Sequence, residues 1–312
     1  MRTPAPEDLA GLQRLRSWLV ERLGGPWPRT TVAVESIDQW RRGGHEVRYI
    51  RFRGIRGDWV PAYALVPLGA TEPLPTVVTL HQHNGQFELG KSEVAGMTGD
   101  PSANIAQRLA EAGFFVLAPD AVAFEERRGR VQQGFFFERF VAMEELLHGR
   151  CLAWRMVGDV MCAIDALSAF PSANVSRLGL IGHSMGGTLT LFAAALDARV
   201  KAAVVNCGLA SLRSVLRDEV IHCYLNYVPG LLPTCDHAQI AALVAPRALL
   251  ISAGADDRSF PVDGVMETFE YARRTFAAMR VPEKIHLHVE GCGHAFTESM
   301  HRAALWWLRR WL

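Results

Sequence analysis

The sequence predicts an α/β fold, a mostly parallel central sheet with helices on both faces and two inserted segments. Three observations predict it. Apolar runs of strand length alternate with helical patterns from residue 76 to residue 311. Most of those runs are short and apolar, as buried strands of a mostly parallel sheet covered on both faces are. The 312 residues, 49% of them hydrophobic, carry no internal repeat and no linker, so 1–312 is expected to form a single domain.

The elements follow in order. Residues 7–23 place Leu9, Leu12, Leu15, Leu19 and Leu23 at helical spacing and stop at Gly24-Gly25-Pro26, a helical extension within residues 1–29. Between about 30 and 66 the pattern is β. VRYIRF alternates and WVPAYALVP ends on proline, giving two antiparallel strands expected at one sheet edge. Strands are then expected at 76–80, 114–119, 177–182, 200–206, 247–254 and 284–290. The helices between and after them are expected at 102–112, 152–169, 185–197, 263–279 and 296–311. Segments 121–150 and 207–243 fall outside this alternation, each after the C-terminal end of a strand. Open α/β sheets bind ligands at that end, so each segment is either a packing excursion or a wall or cap over a pocket.

Composition narrows the function classes. With 33 basic and 32 acidic residues the net charge is +1, so no overall field favours nucleic acid or a membrane surface. The six cysteines are scattered with no C-x-x-C pair, which fits reduced thiols better than a disulfide frame or a zinc knuckle. No window approaches the roughly 18 apolar residues of a spanning helix, and the N-terminus has no apolar leader core. A soluble cytoplasmic protein is expected.

RLGLIGHSMGGTLTLF (177–192) holds the central motif, Gly182-His183-Ser184-Met185-Gly186. A G-x-S-x-G string recurs by chance, and the context is what gives it weight. An apolar strand precedes it and a small-residue helix follows without a gap. A strained strand-to-helix turn lifts a serine hydroxyl above the sheet, and the glycines let strand and helix approach closely. The Met185 N–H, at the helix N-terminus, is then placed to donate to an oxyanion.

A serine hydroxyl needs a base, and the base needs an orienting acid. Both are expected after later strands, in the order Ser, acid, His. His294 lies in Gly291-Cys292-Gly293-His294, a turn between the last strand and the last helix. By contrast, His286 and His288 alternate within a strand and His301 lies on a helix. The acid is Asp256 or Asp257, adjacent in ISAGADDRSFP (251–261).

These residues resemble the α/β-hydrolase superfamily, and more narrowly its dienelactone-hydrolase and acetyl-xylan-esterase-like branch. The match runs over roughly residues 60–312, through GHSMGG, YVPGLL…ALVAPRALLISAGADDRSFPVDGV and GCGHAF. In that family a glycine precedes the catalytic aspartate by three residues and a proline follows it by four. Gly254, Asp257 and Pro261 fit that spacing, which implies Asp257 as the acid. The resemblance implies a serine esterase with a Ser184–His294–Asp257 triad, no cofactor, no metal and a small-molecule ester substrate. Dienelactone hydrolases proper carry a cysteine nucleophile, so Ser184 shifts the expectation toward esterases. Where the family usually has His-Gly after its third strand, this chain has His81-Gln82.

TLHQHNGQF (79–87) closes the 76–80 strand with His-x-His. A zinc site would need further ligands at short spacing, and Asn84-Gly85-Gln86 follow with no carboxylate before Glu88. The expectation is an oxyanion loop. His81 braces it, the backbone of Gln82 or His83 supplies the second donor beside Met185, and Asn84-Gly85 make the turn.

Weaker candidates remain open in two ways each. His81 is also a candidate pocket residue. Glu125, in the run 125–128, either meets substrate at a pocket rim or belongs to a solvated charged loop. Phe136, with Phe135, Phe137 and Phe140, either lines an acyl pocket or packs an inserted helix. Trp306, Trp307 and Trp311 are packing residues or a homodimer contact. The same triad also serves thioesterases, peptidases and acyltransferases, and a binding protein can retain the fold without the chemistry.

Overall fold

A computed structural model describes residues 8–28, 32–232 and 234–312. Residues 1–7, with the first position of the expected N-terminal helix and the start of the segment read for a leader, and residues 29–31 and 233 lie outside the described residues. Among these described residues nine strands form one sheet: β1 (Val34–Arg42), β2 (His45–Arg53), β3 (Trp59–Pro67), β4 (Leu74–Leu80), β5 (Phe115–Pro119), β6 (Ala173–His183), β7 (Val200–Asn206), β8 (Ala248–Gly254) and β9 (Ile285–Glu290). Their order across the sheet is β1-β2-β3-β5-β4-β6-β7-β8-β9. The pairs from β1 to β5 are antiparallel, and every pair from β5 to β9 is parallel. This is the α/β-hydrolase arrangement, a mostly parallel sheet covered on both faces.

The central parallel strands are apolar and buried at the sheet's heart. All five residues of β5 and all seven of β8 are buried. One face is covered by the helices Leu152–Ala166 and Met185–Leu196, the other by Ile105–Glu111 and Glu298–Trp311. The N-terminal helix, Leu9–Leu23, buries Leu12, Leu19 and Leu23, and its Arg16 donates to the Ala195 and Leu243 carbonyls. Trp307 is buried in the core, whereas Trp306 is half exposed. Among the described residues no helix is long and apolar enough to cross a membrane.

The antiparallel edge holds three strands where the pattern predicts two. β1 (VESIDQWRR) is polar at most positions and mostly exposed, so it carries no apolar alternation. Its pairing with β2 comes from backbone hydrogen bonds across a two-residue Gly43-Gly44 turn, which a periodicity argument does not detect.

The exchange of β4 and β5 in the sheet order positions the site. It seats β4 beside β6, so the loop after β4 meets the turn after β6. The two approach so closely that a β-carbon on Gly186 would overlap the Leu80 carbonyl oxygen, and one on Gly182 would overlap the Gly186 backbone. Gly186→Ala is therefore expected to cost about 3 kcal/mol in urea unfolding. Gly44→Ala is the control, because nothing lies within 4 Å of an added β-carbon there. It is expected to stay within about 0.5 kcal/mol of the parent.

Candidate active site

Ser184 directly follows β6 with φ 56° and ψ −122°, a backbone conformation that side-chain-bearing residues rarely adopt. Its N–H donates to the Asn206 carbonyl at the end of β7 (2.9 Å), and its own carbonyl accepts from the Thr188 N–H (3.0 Å). The strain is thus held from the sheet on one side and from the helix on the other. Met185 opens the Met185–Leu196 helix, whose first N–H groups have no intrahelical partner. They give the space above Ser184 a positive lining.

The two other sequence-predicted residues converge on this serine. His294 Nε2 lies 2.8 Å from Ser184 Oγ, and His294 Nδ1 lies 2.8 Å from Asp257 Oδ2. The other Asp257 oxygen accepts from the N–H groups of Ser259 (2.7 Å) and Phe260 (3.2 Å). An ionised carboxylate only accepts, so Nδ1 carries the ring proton and Nε2 is free to accept from the serine hydroxyl. Burial works to raise the Asp257 pKa. The His294 hydrogen bond and charge, with the two backbone donors, outweigh it and leave the carboxyl below its ordinary value. Asp256 is exposed, and its contribution is a backbone N–H donated to the Cys292 carbonyl (2.9 Å).

The glycine three residues before Asp257 has a physical role. A β-carbon on Gly254 would overlap the carbonyl oxygens of Cys292 and Gly293, so only glycine lets the acid loop lie against the histidine turn. The Ala255 N–H, donated to the Glu290 carbonyl (2.8 Å), continues the β8–β9 ladder into these loops and fixes their register.

The loop after β4 faces the same point. His81 is buried, accepts from the Ala121 N–H at Nε2 (3.0 Å) and donates from Nδ1 to the Gln82 carbonyl (2.8 Å). His83 accepts from the Gly85 N–H at Nδ1 (3.0 Å) and donates from Nε2 to buried Glu138 (3.1 Å). All four ring nitrogens are engaged within the protein, so neither ring presents a spare lone pair to a metal. The Gln82 side chain donates to Glu93 (3.0 Å).

The dienelactone hydrolase family matches residues 61–305, well over half of the chain. This chain belongs to the dienelactone hydrolase family. It is a carboxylic ester hydrolase. A Bacillus subtilis (strain 168) protein named "Putative hydrolase YtaP" is 28% identical over 300 residues, covering 95% of this chain and 98% of that protein. Two solved structures share the fold. A Bacteroides fragilis NCTC 9343 protein named a "putative acetyl xylan esterase" superposes with a TM-score of 0.81 at 17% identity, covering 99% of this chain and 92% of the other. A glucuronoyl esterase from Solibacter usitatus superposes with a TM-score of 0.70 at 14% identity, covering 96% and 92%.

In this dienelactone hydrolase family member, groups that sequence reasoning missed hold the site residues in place. Asn206 Nδ2 donates to His183 Nδ1 (2.8 Å) and to the Ala295 carbonyl (3.2 Å), tying the nucleophile turn to the residue after His294. Its only sequence signal was its place as the last residue of a strand. Glu138 and Lys91 gave none. Lys91, one of three lysines in the chain, is fully buried, with its ammonium on Asp120 (2.9 Å), Glu125 (2.6 Å) and Glu126 (2.5 Å). Burial disfavours that charge, but Asp120 and Glu125 outweigh it and hold the lysine pKa above its ordinary value.

Two expectations need correction here. Glu125 neither lines a pocket rim nor sits in a solvated loop, because Lys91 and Ser92 draw it inward. Its neighbour Arg127 is buried, with Nη2 on Asp58 (2.8 Å) and Asp159 (2.7 Å). Phe136 neither lines a pocket nor packs into the core, since it is 64% exposed on the outer side of the Phe135–Leu147 helix.

Burial holds the His81 pKa down at about 4 from an ordinary 6.5, against the hydrogen bond to Gln82. Between those values the unfolded chain binds a proton at this ring and the folded chain does not, so stability from this group rises with pH. Stability of the parent relative to His81→Gln is expected to fall by up to about 3 kcal/mol as the pH drops from 6.5 to 4. Urea midpoints taken across that window check it, and a constant gap between the two proteins would contradict it.

Proposed function

We propose that this hydrolase cleaves carboxylic esters through an acyl-enzyme on Ser184. The observation that carries the reading is the continuous hydrogen-bonded chain from Ser184 Oγ through His294 to Asp257, set on a strained turn at a helix N-terminus. Ser184 attacks the ester carbonyl while His294 Nε2 accepts its proton. Asp257 keeps the Nδ1–H tautomer and stabilises the imidazolium as it forms. The N–H of Met185 and a backbone N–H of Gln82 or His83 receive the developing oxyanion, each worth about 3–4 kcal/mol. His294 then protonates the leaving alcohol, and water attacks the acyl-enzyme by the same route. The scattered cysteines support a reducing, cytoplasmic setting for the enzyme.

Ser184→Ala is expected to lower kcat for p-nitrophenyl acetate by at least about 10⁴-fold and to abolish labelling by a fluorophosphonate, with an unchanged melting temperature. Turnover within tenfold of the parent would overturn the proposal. The acid is tested separately. Asp257→Asn is expected to cost about 10⁴-fold in kcat, because an amide can donate to Nδ1 and favour the wrong tautomer. Asp256→Asn, at an exposed side chain, is expected to stay within about twofold of the parent, and an equal loss in both variants would count against the assignment.

A further inference from the structure

The two inserted segments enclose an apolar groove that the proposed chemistry does not use. It has a volume of about 610 Å³, and its walls include Phe135, Met143 and Leu146 from one segment and Val215, Leu216 and Tyr224 from the other. That volume lies within the range of small-molecule sites. Several of these side chains stay exposed, Phe135 at 52% and Leu216 at 56% among them, and the helix carrying Phe135 adds exposed Phe140 and Leu147. A contiguous apolar surface of this kind marks a place where something apolar binds.

Both walls lead to the proposed catalytic centre. On one side His222 lines the groove and its Nε2 donates to the Ser259 carbonyl in the acid loop (2.9 Å). The His222 ring packs 4.5 Å from Phe260, which in turn stacks 5.9 Å from His294. On the other side Phe135 opens the helix whose Glu138 holds His83. The walls meet where Phe135 packs 6.1 Å from Tyr224. The walls of the groove are therefore tied to the loop after β4 through Glu138 and to the histidine turn through His222 and Phe260.

We infer that this groove receives an apolar arm of the ester, so that the enzyme acts on esters bearing a long aliphatic or aromatic group. The inference rests on the serine-esterase reading above. The lining chemistry selects against a sugar. Each hydroxyl of a carbohydrate needs a partner once it leaves water, and these walls are built of Phe, Met, Leu and Val with few polar groups. An alkyl or aryl arm needs no partner and gains from every methylene taken out of water.

The test compares kcat/KM for two substrate series, p-nitrophenyl esters from acetate to octanoate and alkyl acetates from methyl to octyl. Full burial of a methylene is worth about fourfold, and the groove is partly open, so about twofold per methylene is expected. In the parent enzyme at least one series is expected to rise by tenfold or more, and which one rises identifies the arm that enters. Leu146→Glu and Leu216→Glu, at half-exposed positions, are expected to flatten that rise while leaving the melting temperature unchanged. Two flat or falling series in an enzyme that turns over p-nitrophenyl acetate would overturn the inference while leaving the esterase reading intact. So would an acetylated xylan oligomer preferred over every apolar ester. A rise that survives both variants, with sedimentation showing a parent dimer and monomeric variants, would assign the groove to a second copy of the chain and also overturn it. An absence of any ester turnover, with no fluorophosphonate labelling of Ser184, would bring down the esterase reading itself.

Discussion

Ser184 has to be held at a φ of 56°, and most of the surrounding architecture follows from that requirement. A side-chain-bearing residue in this region is strained by about 1–3 kcal/mol and persists only where its neighbours over-determine it. Here β7 grips the serine N–H, the following helix grips its carbonyl, and Gly182 and Gly186 remove the β-carbons that would push the strand and helix apart. The same closeness presses the helix N-terminus onto the end of β4. The turn at Ser184 and the loop after β4 are therefore not independently placed. A change that relaxes Ser184 also moves the loop that faces it.

A second constraint is charge. The loops after β4 and β5 meet through buried Lys91 among three carboxylates, and buried Arg127 ties the loop after β5 to Asp58 before β3 and to Asp159 on the Leu152–Ala166 helix. Buried ion pairs of this sort add little net stability, because desolvation offsets their attraction, but breaking one strands its partners at large cost. Their effect here is geometric. Lys91 also donates its backbone N–H to Asp120 (2.7 Å), and the next residue, Ala121, donates to His81. Position is thus transmitted from the ammonium cluster to the oxyanion loop through two short, directional contacts. Within the charged run 125–128, Glu125 and Arg127 are drawn inward by these contacts, whereas Glu126 and Arg128 stay exposed.

Legibility from sequence followed the range of the interaction. The parallel strands, the nucleophile turn and the histidine turn are written in consecutive residues, so apolar runs and G-x-S-x-G locate them. Gly254 shows through the family spacing, and the close approach to Cys292 and Gly293 supplies its reason. Glu138 reaches His83 across 55 positions and Lys91 reaches Asp120 across 29, and no local pattern ties such pairs together. β1 was hidden for a different reason. It faces water over most of its length, and a strand whose side chains bury little leaves no period to detect. Phe136 failed in the opposite sense: an aromatic run signals burial, and here Phe137 packs against the core while Phe135, Phe136 and Phe140 stay exposed.

The histidines around Ser184 divide the electrostatic work. His183 sits 4.9 Å from His294, ring to ring, where a second positive charge would oppose the imidazolium that the proposed reaction creates. Burial first, and the neighbouring His294 second, hold the His183 pKa down at about 3. At neutral pH it is therefore an uncharged wall that accepts from Asn206. His81 is kept neutral by burial in the same way and spends both nitrogens on the loop. His294 alone of the three is partly exposed and carries a carboxylate on Nδ1, with the Asp257 charge fixed by two backbone donors. The ring beside His294 therefore stays uncharged, so no second positive charge faces the imidazolium of the proposed reaction.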